Sequence, residues 1–341
     1  MLVTRSAALA LTPLILLARV AEAQQPRGSS VPDPKLPVVR LIATGGTIAM
    51  KIDPEKKAPV PAISGEDLIA TVPDIVKIAR IEVQNLSNVP SDYMDPERWA
   101  QLSRAVQETL ARPEVAGVIV SHGTDTLEET AWFLDLTVGS EKPVVLIGAQ
   151  RNASEPDFDG PRNLLNAARE ATKTHTSDVE TFKSGDFGFL GNADNDRVIF
   201  YRAPLRRQHL ALRSLKENEK LPYVEIVAMY GGADGSLIRS AVAAGAKGIV
   251  VQALGWGNVN VPMYEAIAET TKKGIPVVIT SRVPNGRVLP VYGFKGGGKT
   301  LQEAGALFGD NLSPQKARIL LLLALQSGIH KPPELQKLFE R

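Results

Sequence analysis

Short apolar runs alternate with longer amphipathic stretches along this chain from Val38 onward. Val38–Ala43, Val115–Val120 and Val144–Ile147 are rich in β-branched residues, too short for helices, and bounded by glycine and hydroxyl residues, so each reads as a strand. After the second run, Thr126 followed by Glu129 gives a capping box, and Leu127, Thr130, Ala131 and Leu134 recur at helical spacing. Pro161 sits where a first helical turn begins, ahead of Leu164, Leu165 and Ala168. Further on, Tyr223–Met229, Gly248–Ala253 and Pro276–Thr280 predict strands, with helices near Leu237–Ala244 and Met263–Lys273. The last predicted helix has Ser313 as N-cap, Pro314 at its first position and Gly328 closing it. Alternation of this kind is the signature of an α/β fold built on largely parallel sheets.

The length of 341 residues suggests two domains. Residues 203–221 become charged and aperiodic (Arg206, Arg207, Lys216, Glu217), which reads as a linker between an N-terminal domain at 38–202 and a smaller C-terminal domain at 222–341. At the N-terminus, Arg5 precedes an apolar run from Ala7 to Leu17, and Ala21-Glu22-Ala23 has the small-x-small form of a cleavage site. Residues 1–23 are therefore expected to be a secretory signal peptide, with the mature protein periplasmic or secreted. Residues 24–37, rich in Pro, Ser and Gly, read as a flexible lead-in.

Composition then narrows the chemistry. Thirty-nine basic against 37 acidic residues leave no electrostatic footprint for nucleic acid or an anionic membrane. The absence of cysteine excludes disulfides, thiolate zinc sites and cysteine nucleophiles, and the four histidines are scattered. Catalysis would have to come from hydroxyls, carboxylates and lysines.

Two predicted strand ends carry such groups: Thr44-Gly45-Gly46-Thr47 and His122-Gly123-Thr124-Asp125-Thr126. In open α/β sheets, ligands bind where strands end and loops begin. Glycine lets backbone amides approach a ligand closely, and threonine supplies a nucleophile or proton relay. Either motif alone is explained by ordinary turn chemistry. Two matched strand ends, in a chain with no serine elbow, favour a threonine hydrolase.

On these residues the sequence resembles the bacterial type II L-asparaginases and glutaminase-asparaginases. The resemblance is carried by Ile42-Ala43-Thr44-Gly45-Gly46-Thr47-Ile48-Ala49 and by Ser121 through Thr130. Asp159-Gly160-Pro161, Thr181-Phe182-Lys183-Ser184, Ser281-Arg282-Val283-Pro284 and Pro314-Gln315-Lys316-Ala317-Arg318 support it. It implies an asparaginase-like fold: a large N-terminal α/β domain with a mostly parallel sheet, and a smaller, flavodoxin-like C-terminal α/β domain. The implied reaction is hydrolysis of the side-chain amide of L-asparagine, with L-glutamine as a second candidate, by a homotetramer with no metal or organic cofactor. Thr47 would attack the amide, and Thr124, Asp125 and Lys183 would form the supporting triad. A buried lysine loses proton affinity, which suits it to base chemistry. Ser91 would hold the substrate α-carboxylate and Asp125 its α-ammonium. His122 is expected to be structural.

The sequence also departs from the family pattern. The stretch from Met50 to Ser64, where the family carries a flap tyrosine, has none, and no glutamate stands near Tyr292-Gly293, where a neighbouring subunit would lend one. Asp92, where relatives often carry glutamine, is expected to supply the second counter-charge, and Tyr292 to reach across from a neighbour in place of the flap tyrosine. Gly293-Phe294-Lys295-Gly296-Gly297-Gly298-Lys299-Thr300 matches the phosphate-binding P-loop pattern. It lacks a buried strand before it and a long helix after it, and so reads as a glycine-rich loop. The alternatives are a periplasmic amidase of broader specificity and a non-catalytic periplasmic amino-acid binding protein, which would release no ammonia.

Overall fold

The computed structural model describes residues 33–152, 154, 164–193, 197–203, 209–212 and 220–340. The expected signal peptide, most of the lead-in, Pro161 and much of the expected linker lie outside these residues.

Strand β1 (Val38–Gly45) forms on the β-branched run and continues into the glycine turn. A short helical turn at Thr47–Ala49 leads into the hairpin β2 (Met50–Asp53) and β3 (Ala58–Pro61), the stretch that lacks a tyrosine. Helix α1 (Gly65–Ala70), β4 (Arg80–Val89), α2 (Pro96–Leu110), β5 (Val115–Ser121), α3 (Leu127–Thr137) and β6 (Val144–Ile147) follow. The sheet has the order β4-β1-β5-β6 and is parallel throughout. The pairings Ala43↔Ser121 and Gly45↔Val89 bring the carboxyl ends of β1, β5 and β4 to one edge. Three successive turns therefore leave the sheet side by side.

The hairpin β2–β3, helix α1, strand β4 and helix α2 were not anticipated from the sequence. Helix α2 starts where Asp95 accepts the Arg98 N–H at 2.8 Å, with Pro96 at the first position, and it buries Trp99, Leu102, Val106 and Leu110 at helical spacing. Strand β4 lies at the sheet edge, where Arg40 and Arg112 both pair with Glu82 on its polar face.

Short antiparallel pieces come next: β7 (Leu164–Leu165), β8 (Thr172–Lys173), β9 (Phe182–Lys183), β10 (Gly191–Ala193) and β11 (Val198–Phe200). Leu164 and Leu165, expected in a helix, instead pair with Asn192 and Gly191. Consecutive leucines fit either periodicity, and here the sheet partner decides.

The second unit comprises β12 (Val224–Ala228), α4 (Ser236–Ala243), β13 (Gly248–Ala253), α5 (Val261–Lys272), β14 (Val277–Ser281), α6 (Gly298–Glu303), β15 (Leu307–Phe308), α7 (Pro314–Gln326) and α8 (Pro332–Phe339). Its strands are parallel in the order β12-β13-β14-β15. The Ser313 side chain caps α7 and Gly328, at φ +81°, follows its end as anticipated, but α8 then extends the chain beyond the helix expected to be last.

Helix α7 is buried on every side from Ile319 to Leu325, because it lies between the second sheet and α3 of the first unit. Trp99, Trp132 and Phe133 from the first unit share one apolar cluster with Leu320, Leu323, Val250 and Val278. Each such side chain contributes roughly 1.5–3 kcal/mol on burial, so this shared core binds the halves together. The Trp132 indole N–H donates to the Lys316 carbonyl at 3.1 Å across the same contact.

Candidate active site

The first two turns carry glycines that no other residue could replace without movement. Gly45 and Gly46 have φ of +106° and +84°, in the region where side chains are strained. A Cβ on Gly46 would lie 2.1 Å from the Gly123 nitrogen, and one on Gly123 would lie 2.6 Å from the Ser91 hydroxyl. The turns after β1, β4 and β5 thus touch backbone to backbone. Hydroxyls tie them further: Thr44 Oγ1 donates to Ser121 O at 2.9 Å, Ser87 Oγ to Thr44 O at 2.9 Å, and Thr126 Oγ1 to Ser91 O at 2.8 Å. That last bond replaces the capping bond expected of Thr126, whose side chain does not cap α3.

Thr47 leaves this junction half-buried, and its hydroxyl has no hydrogen-bond partner among the described residues. Ser91 is 4% exposed against Gly123. Asp92, next in the same turn, is exposed, and its carboxylate has no partner among the described residues.

Thr124 belongs to a polar relay. Its hydroxyl donates to Gln150 Oε1 at 3.1 Å and accepts from Lys173 Nζ at 2.9 Å. The same ammonium donates to Asp125 Oδ1 at 2.6 Å. Lys173, not Lys183, therefore completes the cluster with Thr124 and Asp125. Lys183 is half-exposed, with Nζ 3.7 Å from Glu180. Antiparallel register explains the difference. Thr172 pairs with Lys183 and Lys173 with Phe182, and neighbouring residues on a strand face opposite sides, so only one of the two lysines can face Thr124. Threonines flank Lys173 on both sides, a hydroxyl-rich setting in the sequence that could have drawn attention to it. Gln150 followed β6 with no motif to mark it.

Behind these groups, His122 is fully buried. Its Nδ1 is 2.7 Å from Gly123 O, and its Nε2 is 2.9 Å from Thr130 Oγ1, which also accepts the Trp99 indole N–H at 2.9 Å. A carbonyl only accepts, so Nδ1 carries the proton and Nε2 accepts from Thr130. Every donor is then used with a neutral ring, and burial lowers the imidazole pKa to about 4. His122 holds the Gly123 peptide in place, a structural role.

A cavity of about 360 Å³ adjoins the relay, lined by Asp125, Lys173, Glu128, Glu129, His175 and Gln315. Burial raises the carboxyl pKa of both Glu128 and Glu129, with Lys316 and Arg318 opposing the shift.

Tyr292 lies in the second unit, 45% exposed, with its ring against Trp256 and Phe294. The amides of the adjoining glycine-rich loop are already taken: Gly296 N–H donates to Thr300 Oγ1, Gly297 N–H to Phe294 O, and Gly298 N–H to Asn258 Oδ1 outside the loop. No strand feeds it, and α6 is six residues long. This is not the strand–loop–helix setting of a P-loop.

Comparison with known proteins agrees with this layout. The family model described as asparaginase, N-terminal, matches residues 38–172, and the glutaminase/asparaginase C-terminal domain matches 223–339. L-asparaginase 2 of Bacillus subtilis is 36% identical, the match covering 94% of this chain and 90% of that protein. L-asparaginase 2 of Escherichia coli is 35% identical, with 90% of this chain and 93% of that protein covered. Among solved structures, a probable cytoplasmic L-asparaginase from Campylobacter jejuni superposes with a TM-score of 0.79 at 32% identity, covering 89% of this chain and 99% of that one. With both halves matched and more than a third of the residues shared over nearly its full length, this chain belongs to the L-asparaginase family.

Proposed function

We propose that this protein hydrolyses the side-chain amide of L-asparagine through an acyl-enzyme on Thr47. The observation that carries the reading is the placement of Lys173 Nζ within 2.9 Å of Thr124 Oγ1 and 2.6 Å of Asp125 Oδ1, on a loop packed against the glycine turn that presents Thr47. Thr47 Oγ attacks the amide carbon and loses its proton, the C–N bond breaks, and the nitrogen leaves as ammonia. Water then cleaves the ester, giving aspartate and restoring Thr47. A threonine hydroxyl is a weak nucleophile and needs a neighbouring group to exchange its proton. Thr124 and Lys173 form that exchange path, with Asp125 holding the lysine in register. Ser91, buried beside Gly123, is placed to donate to the substrate α-carboxylate, and Asp125, whose side chain is 56% exposed, to meet the α-ammonium.

Asp92 adds a second counter-charge in this reading, and Tyr292 acts across a contact with another copy of the chain. The compartment we assign is periplasmic or extracellular, on the arrangement of Arg5, the apolar run and Ala21-Glu22-Ala23. A periplasmic amidase of broader specificity is the second reading, favoured by the β2–β3 hairpin that has no tyrosine. Ammonia release from L-asparagine, L-glutamine, their D-forms and simple amides separates the two. Asparagine should be the preferred substrate, Thr47→Ala should abolish turnover, and Thr124→Val should abolish it or accumulate an acyl-enzyme visible by intact mass. Near-normal rates in either threonine variant would refute the assignment.

A further inference from the structure

We propose that Lys316, in the second unit, is a positioning residue for Lys173, acting with Glu128 to grip the strand that presents it. The inference rests on the role just given to Lys173. Strand β8 is only two residues long and, among the described residues, pairs with β9 alone, so its own ladder fixes it weakly. Two outside groups make up the difference. Lys316 Nζ donates to Arg169 O at 2.8 Å and to Ala171 O at 2.6 Å, on the approach to Thr172 and Lys173. From the opposite element, Glu128 Oε2 in the first turn of α3 accepts the Lys173 N–H at 2.6 Å.

Lys316 is 2% exposed, on a helix whose buried residues are otherwise mostly Leu, Ile and Ala. Burying an ammonium is costly, and well-packed apolar replacements often match or exceed such groups in stability. The two carbonyls aimed at its amine give the lysine a local task, holding the segment that leads into Lys173. Burial lowers its pKa to about 8 against the attraction of Glu128, Glu170 and Glu129, with the Arg169 charge also lowering it. Gln315, the preceding residue, lines the cavity beside Lys173, which places the start of α7 directly behind the relay.

The test is ammonia release from L-asparagine by the full-length protein, with circular dichroism to confirm folding. Lys316→Met should lower kcat by about 10- to 100-fold, the cost of a small misplacement of a reacting group, and leave KM within about threefold. Lys316→Arg, which retains donors, should recover most of kcat. Leu321→Ala in the same helix faces Gly248 of β13; it should lower Tm while leaving kcat within about twofold. Glu128→Ala tests the other grip, and Glu128→Gln should rescue it by retaining an acceptor, so the idea remains testable if Lys316→Met does not fold. Folded Lys316→Met or Glu128→Ala with kcat within twofold of the parent overturns the proposal, as does an equal fall in Leu321→Ala. Lys173→Met, measured alongside, separates the two ideas: normal turnover there would sink the proposed function itself.

Discussion

Lowering the pH from 7.5 to 5 should destabilise this protein through His122. In the folded state the ring is neutral, with Nδ1–H donating to Gly123 O and Nε2 accepting from Thr130. Adding a proton at Nε2 forces the Thr130 hydroxyl to turn its hydrogen away, on an oxygen that already accepts from Trp99, and leaves a charged ring buried. The folded pKa of about 4 lies below the ordinary 6.5, so between these values the unfolded chain binds the proton and the folded one does not. Stability is therefore complete above about pH 6.5 and falls as pH drops toward 4. The full difference is worth ~3 kcal/mol, of which ~2 kcal/mol is lost by pH 5. Glu128 and Glu129 act with the opposite sign, because their folded pKa values are raised. Urea denaturation from pH 5 to 7.5 on the parent and on His122→Asn isolates the histidine, since other titrations cancel in the comparison. The parent should lose ~2 kcal/mol more than the variant over that range, and ring-nitrogen NMR should report the Nδ1–H tautomer at pH 6. Parallel stability profiles, or a His122 titration near 6.5, would refute the reasoning.

Three further outcomes follow from the site geometry. Gly46→Ala drives a methyl into the Gly123 backbone at a left-handed φ; it should remove at least ~99% of asparagine turnover and lower stability by ~2 kcal/mol in urea. Steady-state kinetics should separate the two hairpin lysines: Lys173→Met should cost about 10²- to 10⁴-fold in kcat, while Lys183→Met, on the opposite face, should stay within ~2-fold of the parent. Asp92→Asn should raise KM for asparagine several-fold and spare an amide lacking the α-amino group, an outcome read directly from parallel saturation curves.

The two sheets were legible because parallel strands buried on both faces read as unbroken apolar runs. Gly248–Ala253 appears with the anticipated bounds, and Val38–Ala43 and Val115–Val120 each extend by a residue or two. Strand β4 escaped notice because an edge strand has one polar face, with Glu82 and Gln84 breaking the run. The glycine-threonine turns were visible as local motifs, and their meeting follows from parallel register, which sets consecutive strand ends along one edge. The identity of the lysine was not visible. Lys173 and Lys183 lie ten residues apart on paired strands, both beside threonine or serine, and only the register of a two-residue ladder decides which one meets Thr124. Thr126 fits a capping box in sequence, yet its hydroxyl donates instead to Ser91 O, thirty-five positions earlier in the chain.

Because α7 packs on the second sheet with one side and on the helices of the first unit with the other, the boundary between the units is not a boundary of cooperativity. An isolated first half would expose Trp99, Trp132 and Phe133 to water, and an isolated second half would leave one side of the leucine-rich helix bare. Each fragment would be a sticky intermediate rather than an autonomous module. The chain should therefore melt as one foldon at this seam, and chimeras between relatives should tolerate a crossover only when α7 travels with the α3 surface it evolved against.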